Sequence, residues 1–187
     1  DGGGSMRIPA AFCGAFSLKA TLGRVPTWPQ SPSEHLSCAG PITNTVADYA
    51  LALDVLQGPD PRDPNSLPRA AERFLAATGE PLARPRVVLA PTLFGAKVQA
   101  DIAGIVAAAF DRMRREMDIE VVGTGVDWPD PVGIFDRLWT ARGGAYHGPS
   151  GEDLAKLEPG HARLVERSRS ITLADLLRAL QDRAAFN

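Results

Sequence analysis

The stretch of this 187-residue chain with the greatest chemical potential is its start, DGGGSMRIPA. Three glycines run into Ser5, and Arg7 follows two residues later. Consecutive glycines reach φ > 0 and let a backbone come close to a ligand. Their N–H groups can then point to one spot, which is what stabilising the oxyanion of an attacked carbonyl requires. A serine hydroxyl beside that cluster can supply the attacking oxygen. The same letters also fit a flexible turn or an anion-binding nest, so the glycine–serine run alone does not choose between them.

Other familiar arrangements fail on spacing. The nucleophile elbow G-x-S-x-G needs glycine at position 7, where Arg7 stands. GGGSMR lacks the dinucleotide-binding spacing, and there is no Walker A sequence. His35, His147 and His161 lie far apart and form no H-E-x-x-H pattern. A Ser-His-Asp triad remains open in principle, since such triads are recognised by geometry and not by order. Read singly, each histidine is a surface or core-edge residue. Cys13 and Cys38 have neither metal spacing nor disulfide density, and both read as small buried hydrophobes of a reducing compartment. No metal and no cofactor is implied, and a cytoplasmic location follows.

Composition narrows the classes further. Hydrophobic residues are 44% and charged residues 22%, the mix of a globular protein. A formal net charge of −2 gives no bulk electrostatic case for a nucleic-acid or membrane partner. Apolar runs such as VAAAF, 106–110, fall far short of a membrane span, and no basic segment leading into an apolar run opens the chain.

The elements that must position Ser5 come next. Residues 1–41 hold six glycines and five prolines and little helical periodicity. Pro26, Pro29 and Pro32 keep 23–35 extended. The segment 45–58 reads as a helix, with Thr45 and Asp48 as a capping box, Val46, Tyr49, Leu53 and Leu56 at helical spacing, and Gly58–Pro59 as its stop. A loop occupies 58–68. RVVLAP, 86–91, reads as a buried strand, 99–117 as a helix, and IEVVG, 119–123, as a second strand. The helix carries an apolar stripe of Ile102, Ile105, Val106, Ala109, Phe110, Met113 and Met117. Strand, helix, strand in about forty residues is the signature of a crossover in an α/β sheet. A helix over 133–146 is expected to loosen at Gly143 and Gly144. Another over 171–186 has Thr172 and Asp175 as a capping box, and Leu173, Leu176, Leu177 and Leu180 facing inward.

The residues after Ser5 identify the run. SMRIPAAFCGAFSLKATLGRVP resembles the amidase signature family. Its pattern runs Gly-Ser-Asp, any residue, Gly-Gly-Ser, an apolar residue, Arg-Ile-Pro-Ala-Ala-Phe-Cys-Gly, then Gly-Leu-Lys-Pro-Thr and Gly-Arg-Val. Asp1, Gly3, Gly4, Ser5, Arg7, Ile8, Pro9, Ala10, Ala11, Phe12, Cys13 and Gly14 match, as do Leu18, Lys19, Thr21, Gly23, Arg24 and Val25. The likeness continues in register through GPITNTVADYALALDVLQGPDPRDP, 40–64, and is dense over 1–68 and looser over 69–187. Departures are Ser17 for glycine, Ala20 for proline, Leu22 for an aromatic residue and Asn44 for arginine.

The resemblance implies an α/β fold, a large mixed sheet covered by helices, of which 1–187 is part of a single domain. It implies amide hydrolysis through a Ser–cis-Ser–Lys triad. Ser5 corresponds to the acylated nucleophile, and the N–H groups of Gly2, Gly3, Gly4 and Ser5 to the oxyanion hole. Asp1 and Arg7 correspond to charged residues that brace this loop, while Lys19 and Arg24 read as structural. The substrate is a small amide, with no direct nucleic-acid or membrane partner, and a homo-oligomer is compatible with it. The family's lysine and bridging serine lie upstream of the nucleophile loop. Both chain ends look cut, so a lysine and a Gly-Ser-Ser segment are expected upstream, the 187 residues alone are expected to be inactive, and apolar surface is expected to lie uncovered. Two other readings are the glutaminase subunit of a tRNA-dependent amidotransferase and a catalytically dead, truncated homologue serving as an interaction module.

Overall fold

The computed structural model describes residues 1–33, 35–147 and 154–186. The chain forms two compact units, Asp1–Glu80 with Asp136–Leu180, and Pro81–Phe135 with Gln181–Asn187.

In the first unit the order begins with α1 (Arg7–Phe12) and α2 (Val46–Leu56). The sequence pattern does not announce α1. It is only six residues long, and Pro9 sits in its first turn, where the missing N–H has no intrahelical partner to lose. It is anchored by Ile8 N–H to the Gly4 carbonyl at 2.8 Å and Ala10 N–H to the Met6 carbonyl at 3.1 Å. Thr45 caps α2 by accepting from the Asp48 N–H at 3.1 Å. Tyr49 and Leu53 of α2 are buried, whereas Val46 and Leu56 are exposed. The Tyr49 hydroxyl donates to the Leu18 carbonyl at 2.6 Å, and its ring meets Phe16 edge-on with centroids 5.5 Å apart. Phe16 in turn bridges Thr43 in antiparallel fashion. A Cβ at Gly40 would lie 2.8 Å from the Tyr49 oxygen and 3.1 Å from the Met6 sulfur. The only residue that fits there is one without a side chain, and α2 thereby packs against the residue next after Ser5.

The turn-rich segments 23–35 and 58–68 are held together by one buried carboxylate. Asp63 accepts from Thr27 N–H at 2.9 Å, from Gln30 Nε2 at 2.6 Å and from Asn65 N–H at 2.9 Å. Arg24 reaches across to donate to the Pro68 carbonyl at 3.0 Å. Beyond these loops lies the short helix α3 (Phe74–Ala77), whose Phe74 and Leu75 N–H groups donate to the buried Asp54 carboxylate of α2 at 2.8 and 3.2 Å. Burial alone would raise the pKa of Asp54, but the Leu75 and Phe74 N–H groups and the nearby Arg73 outweigh it and hold it below its ordinary value.

The crossover expected from the sequence is present in the second unit, but its first strand is not buried: Arg86 and Val88 are exposed and Val87 and Leu89 half-buried, because among the described residues one partner strand covers a single edge and no layer covers the faces. Strands β1 (Arg86–Leu89) and β2 (Glu120–Thr124) pair in parallel, joined through α4 (Ala100–Glu116). The register runs Arg86 with Glu120 to Leu89 with Thr124, interrupted by a bulge between Val87 and Val88. Among the described residues this pair is the whole sheet. The apolar stripe of α4 does not face inward. Ile102, Ile105, Val106 and Met117 are exposed, and only Phe110 and Met113 are half-buried. A helical period marks a face that needs cover; it does not say which segment supplies it.

The remaining elements are α5 (Val132–His147), a 3-10 turn at Leu154–Lys156, α6 (Pro159–Ser168) and α7 (Leu173–Phe186). Helix α5 does not loosen at its glycines. A Cβ at Gly143 would stand 3.1 Å from Leu164 Cγ, and one at Gly144 would stand 2.8 Å from Ser168 Oγ. The pair lets α6 pack onto α5. The capping box of α7 is reciprocal, with Asp175 N–H on Thr172 Oγ1 at 3.1 Å and Thr172 N–H on Asp175 Oδ2 at 3.0 Å. On α7, Leu176 and Leu180 are half-buried and Ala179 is fully buried, but Leu173 and Leu177 are exposed. The buried side of α7 thus runs through Leu176, Ala179 and Leu180 and leaves Leu173 and Leu177 outside it. Cys38 is buried; Cys13, at the C-cap of α1, is exposed, against expectation, because the six-residue helix ends before it can be covered.

Gly23 tests the loop pairing. Its φ is +77°, and a Cβ would lie 1.7 Å from the Asn65 carbonyl oxygen. Gly23→Ala is expected to lower the stability read by urea unfolding by about 3 kcal/mol or more, the sum of a left-handed penalty and a backbone clash. Gly104→Ala, in the middle of α4 with nothing within 4 Å, is expected to raise it by about 0.5–1 kcal/mol. Equal stability for the two variants would contradict this packing.

Candidate active site

The loop carrying Ser5 is built around one carboxylate. The Asp1 side chain has no exposed surface, and Arg7 lies against it with its own side chain about half open. Arg7 Nε donates to Asp1 Oδ2 and Arg7 Nη2 to Oδ1, both at 3.0 Å, which is a fork-to-fork pair. Three backbone groups donate to the same carboxylate: Gly4 N–H at 2.8 Å, and Met6 N–H and Arg7 N–H at 3.3 Å. The chain from Gly4 to Arg7 is thus wrapped around Asp1 in a single turn that leads directly into α1.

Gly4 makes that turn possible. Its φ is +112°, and a Cβ there would lie 2.6 Å from Ile8 Cδ1. A side chain would be strained and would also collide with α1.

The direction of the N–H groups divides the expected donors. Gly4 N–H is aimed at Asp1 and is engaged there, because the buried carboxylate requires every donor within reach. The N–H groups of Gly2, Gly3 and Ser5 make no hydrogen bond among the described residues. Ser5 itself is exposed, and its hydroxyl has no hydrogen-bond partner among the described residues. The site therefore presents one hydroxyl and three open backbone donors within four residues, on a loop whose far side is locked.

Behind the loop, residue 38 runs beside residue 1. Cys38 N–H donates to the Asp1 carbonyl at 3.2 Å, and the Asp1 backbone nitrogen donates to the Cys38 carbonyl. Lys19 is next to this pair, with its Nζ 3.3 Å from the Ala20 carbonyl and 3.4 Å from Cys38 Sγ. Arg24 covers the Phe74 ring at 5.9 Å besides its bond to Pro68. Lys19 thus holds a neighbour of Asp1, while Arg24 ties its segment to Pro68 and Phe74. Ser17, which replaces the family's glycine, uses its hydroxyl to bond the Pro41 carbonyl at 2.8 Å, so that departure adds a tie between the segments flanking the site.

Of the histidines, His35 and His161 are half-buried, and the side chain of His147 lies outside the described residues. Among the described residues no group of histidine, cysteine or acidic side chains could hold a metal ion. No helix is long and apolar enough to cross a membrane.

Two side chains that sequence reasoning did not single out, Ser37 and Trp139, lie beside Gly2. A Cβ at Gly2 would lie 2.9 Å from Ser37 Oγ and 3.2 Å from Trp139 Cζ3. No local motif marks either residue, since 35 and 137 positions of chain separate them from Gly2. The glycine at position 2, which is unmatched in the family pattern, was the one available hint.

Known proteins share this arrangement of sequence and backbone. The acylamidase of Rhodococcus erythropolis is 36% identical over 144 residues, covering 74% of this chain and 29% of that protein. A glutamyl-tRNA(Gln) amidotransferase subunit from Thioalkalivibrio sulfidiphilus (strain HL-EbGR7) is 39% identical over 127 residues, covering 67% of this chain and 26% of that protein. The crystal structure of a bacterial aryl acylamidase of the amidase signature family superposes with a TM-score of 0.76 at 27% identity, covering 98% of this chain and 40% of that one. The chain thus spans about a quarter of the length of the curated relatives it matches. A family model described as Amidase matches residues 1–140, so with 140 of its 187 residues inside that match the chain belongs to the amidase family.

Proposed function

We propose that this chain is the nucleophile-bearing part of an amide hydrolase that acts on small carboxamides. The observation that carries the reading is the disposition of the loop: an exposed Ser5 hydroxyl preceded by open N–H groups, with the opposite side of the turn held by Asp1. Ser5 Oγ attacks the carbonyl carbon as its proton passes to a base. The carbonyl oxygen, now negative, takes hydrogen bonds from the N–H groups of Gly2, Gly3 and Ser5. Gly4 contributes its left-handed turn, and its N–H stays on Asp1. The carbon–nitrogen bond then breaks, the leaving nitrogen takes a proton, and an acyl ester on Ser5 remains for water to hydrolyse.

A serine hydroxyl is a weak nucleophile at neutral pH without a contacting base. Lys19 is turned to Cys38 and Ala20. We assign the base to a lysine outside this chain, bridged by a second serine as in the family pattern. Membership in the amidase family and the fold shared with an aryl acylamidase over 98% of the chain support this reading. A second reading, a glutaminase subunit that passes ammonia on to a charged tRNA, is favoured by the 39% identity to an amidotransferase component. It predicts tRNA-dependent ammonia transfer with partner subunits. The first reading predicts release of free acid and amine without them.

A fluorophosphonate probe is expected to label Ser5 in the gene product that carries this chain, and Ser5→Ala to abolish both labelling and amide hydrolysis. The 187-residue polypeptide by itself is expected to show no Ser5-dependent turnover of aryl or alkyl amides. An unlabelled Ser5 in the gene product marks a catalytically dead homologue, and turnover by the polypeptide alone refutes the external base.

Asp1→Asn tests the clamp. An amide offers one oxygen and an NH2 group where five donors converge, so one side of the carboxylate contacts becomes repulsive. The rate of probe labelling at Ser5 is expected to fall by roughly a hundredfold, the scale of a displaced reacting group or a lost oxyanion donor. An unchanged rate would show that the carboxylate does not set the loop's geometry.

A further inference from the structure

The clamp on Asp1 holds the loop from Gly4 onward. Gly2 and Gly3 lie on its other flank, and their N–H groups are the ones left open. Something else must fix their peptide planes, because two adjacent glycines are the most mobile backbone a chain can contain.

Two side chains close on Gly2 from that flank. Ser37 Oγ occupies a point 2.9 Å from where a Gly2 Cβ would be, and Trp139 Cζ3 a point 3.2 Å from it. Each is itself held. Ser37 Oγ lies 3.3 Å from Ser33 Oγ, and Ser33, which is buried, lies 3.1 Å from Ser31 Oγ, so Ser37 ends a row of three hydroxyls. Its neighbour Cys38 is paired with Asp1 through backbone hydrogen bonds, which sets Ser37 level with Gly2. Trp139 is carried by α5 between the buried residues Leu138 and Thr140. The Arg142 guanidinium, one turn on, stacks over its indole at 3.9 Å, a cation–π contact that restrains the ring.

We infer that Ser37 and Trp139 are positioning residues for the oxyanion donors of Gly2 and Gly3, acting by contact with the Gly2 backbone. The inference rests on the proposed role of Ser5. It assigns a function in the reaction to α5, an element more than 120 residues away in sequence from the nucleophile. It also explains why position 2 is glycine: any side chain there would displace Ser37 or Trp139 and swing the peptide that carries the donors.

Such residues act on the transition state more than on substrate binding, so kcat should move and KM should not. In the gene product that carries this chain, Trp139→Ala is expected to lower kcat about tenfold with KM within about twofold, and Trp139→Phe to recover most of the loss. Gly2→Ala should lower kcat more, and adding Ser37→Ala should restore part of it by removing the atom the new methyl meets; this non-additivity is the mark of direct contact. A merely structural role for Trp139 would leave kcat per folded molecule intact. If Trp139→Ala does not fold, the Gly2 and Ser37 pair decides. The inference is overturned if Trp139→Ala shifts KM alone or neither constant, or if Ser37→Ala brings no recovery to Gly2→Ala. Ser5→Ala, measured alongside, separates the two levels: turnover that survives it defeats the proposed function and this inference together. Turnover that depends on Ser5 but ignores Trp139 and Ser37 defeats the inference alone.

Discussion

The Asp1 carboxylate is the interaction on which the rest of the site depends. A buried carboxylate without partners is too costly to persist, and it survives only by collecting donors. Here it gathers the Arg7 fork and the N–H groups of Gly4, Met6 and Arg7. Each hydrogen bond to a charged group contributes roughly 1.5–3 kcal/mol net, enough together to hold a glycine-rich loop in one shape. The carboxylate thus fixes the turn from Gly4 onward. Gly4 N–H is drawn to Asp1, while the N–H groups of Gly2, Gly3 and Ser5 make no hydrogen bond among the described residues.

The unit around the loop serves that turn. Met6 is buried, and its sulfur and the Tyr49 oxygen both crowd Gly40, so α2 supports the residue after Ser5. The Tyr49 hydroxyl reaches Leu18, and Ser17 reaches Pro41, so the segments leaving and returning to the loop are tied at their middle. The Asp63 network fixes the proline-rich segments that lie further out. Buried carboxylates recur as the organising device, in Asp1, Asp54 and Asp63, because a unit rich in glycine and proline has many backbone donors without a helix or strand to satisfy them.

Legibility in the sequence tracks the range of the physics involved. The parallel crossover of β1, α4 and β2 was legible because strand runs and a helical stripe are local patterns. The reciprocal cap of α7 was legible because both partners lie within one turn. The run from Asp1 to Arg7 stood out in the sequence because unusual residue types and spacing coincide there, and the structure shows it as one turn closed on the Asp1 carboxylate. Six-residue α1 was not, since it is too short for a period to show. Nor was the role of Gly143 and Gly144, which read as helix-weakening until α6 is seen against them. The outward stripe of α4 and the outward Leu173 and Leu177 show the same limit from the other side. The contacts of Ser37 and Trp139 with Gly2 depend on tertiary geometry alone. The engagement of Gly4 N–H by Asp1 was hidden for a subtler reason: spacing tells that donors are near one another, but not which way each one points.

The most direct test of this arrangement is a crystal structure of the gene product bearing a phosphonate adduct on Ser5. The phosphoryl oxygen is expected to lie about 2.7–3.1 Å from at least two of the Gly2, Gly3 and Ser5 nitrogens, while Gly4 N–H remains on the Asp1 carboxylate. An oxygen directed to solvent with those N–H groups turned away, or an Asp1 that has released Gly4, would contradict it.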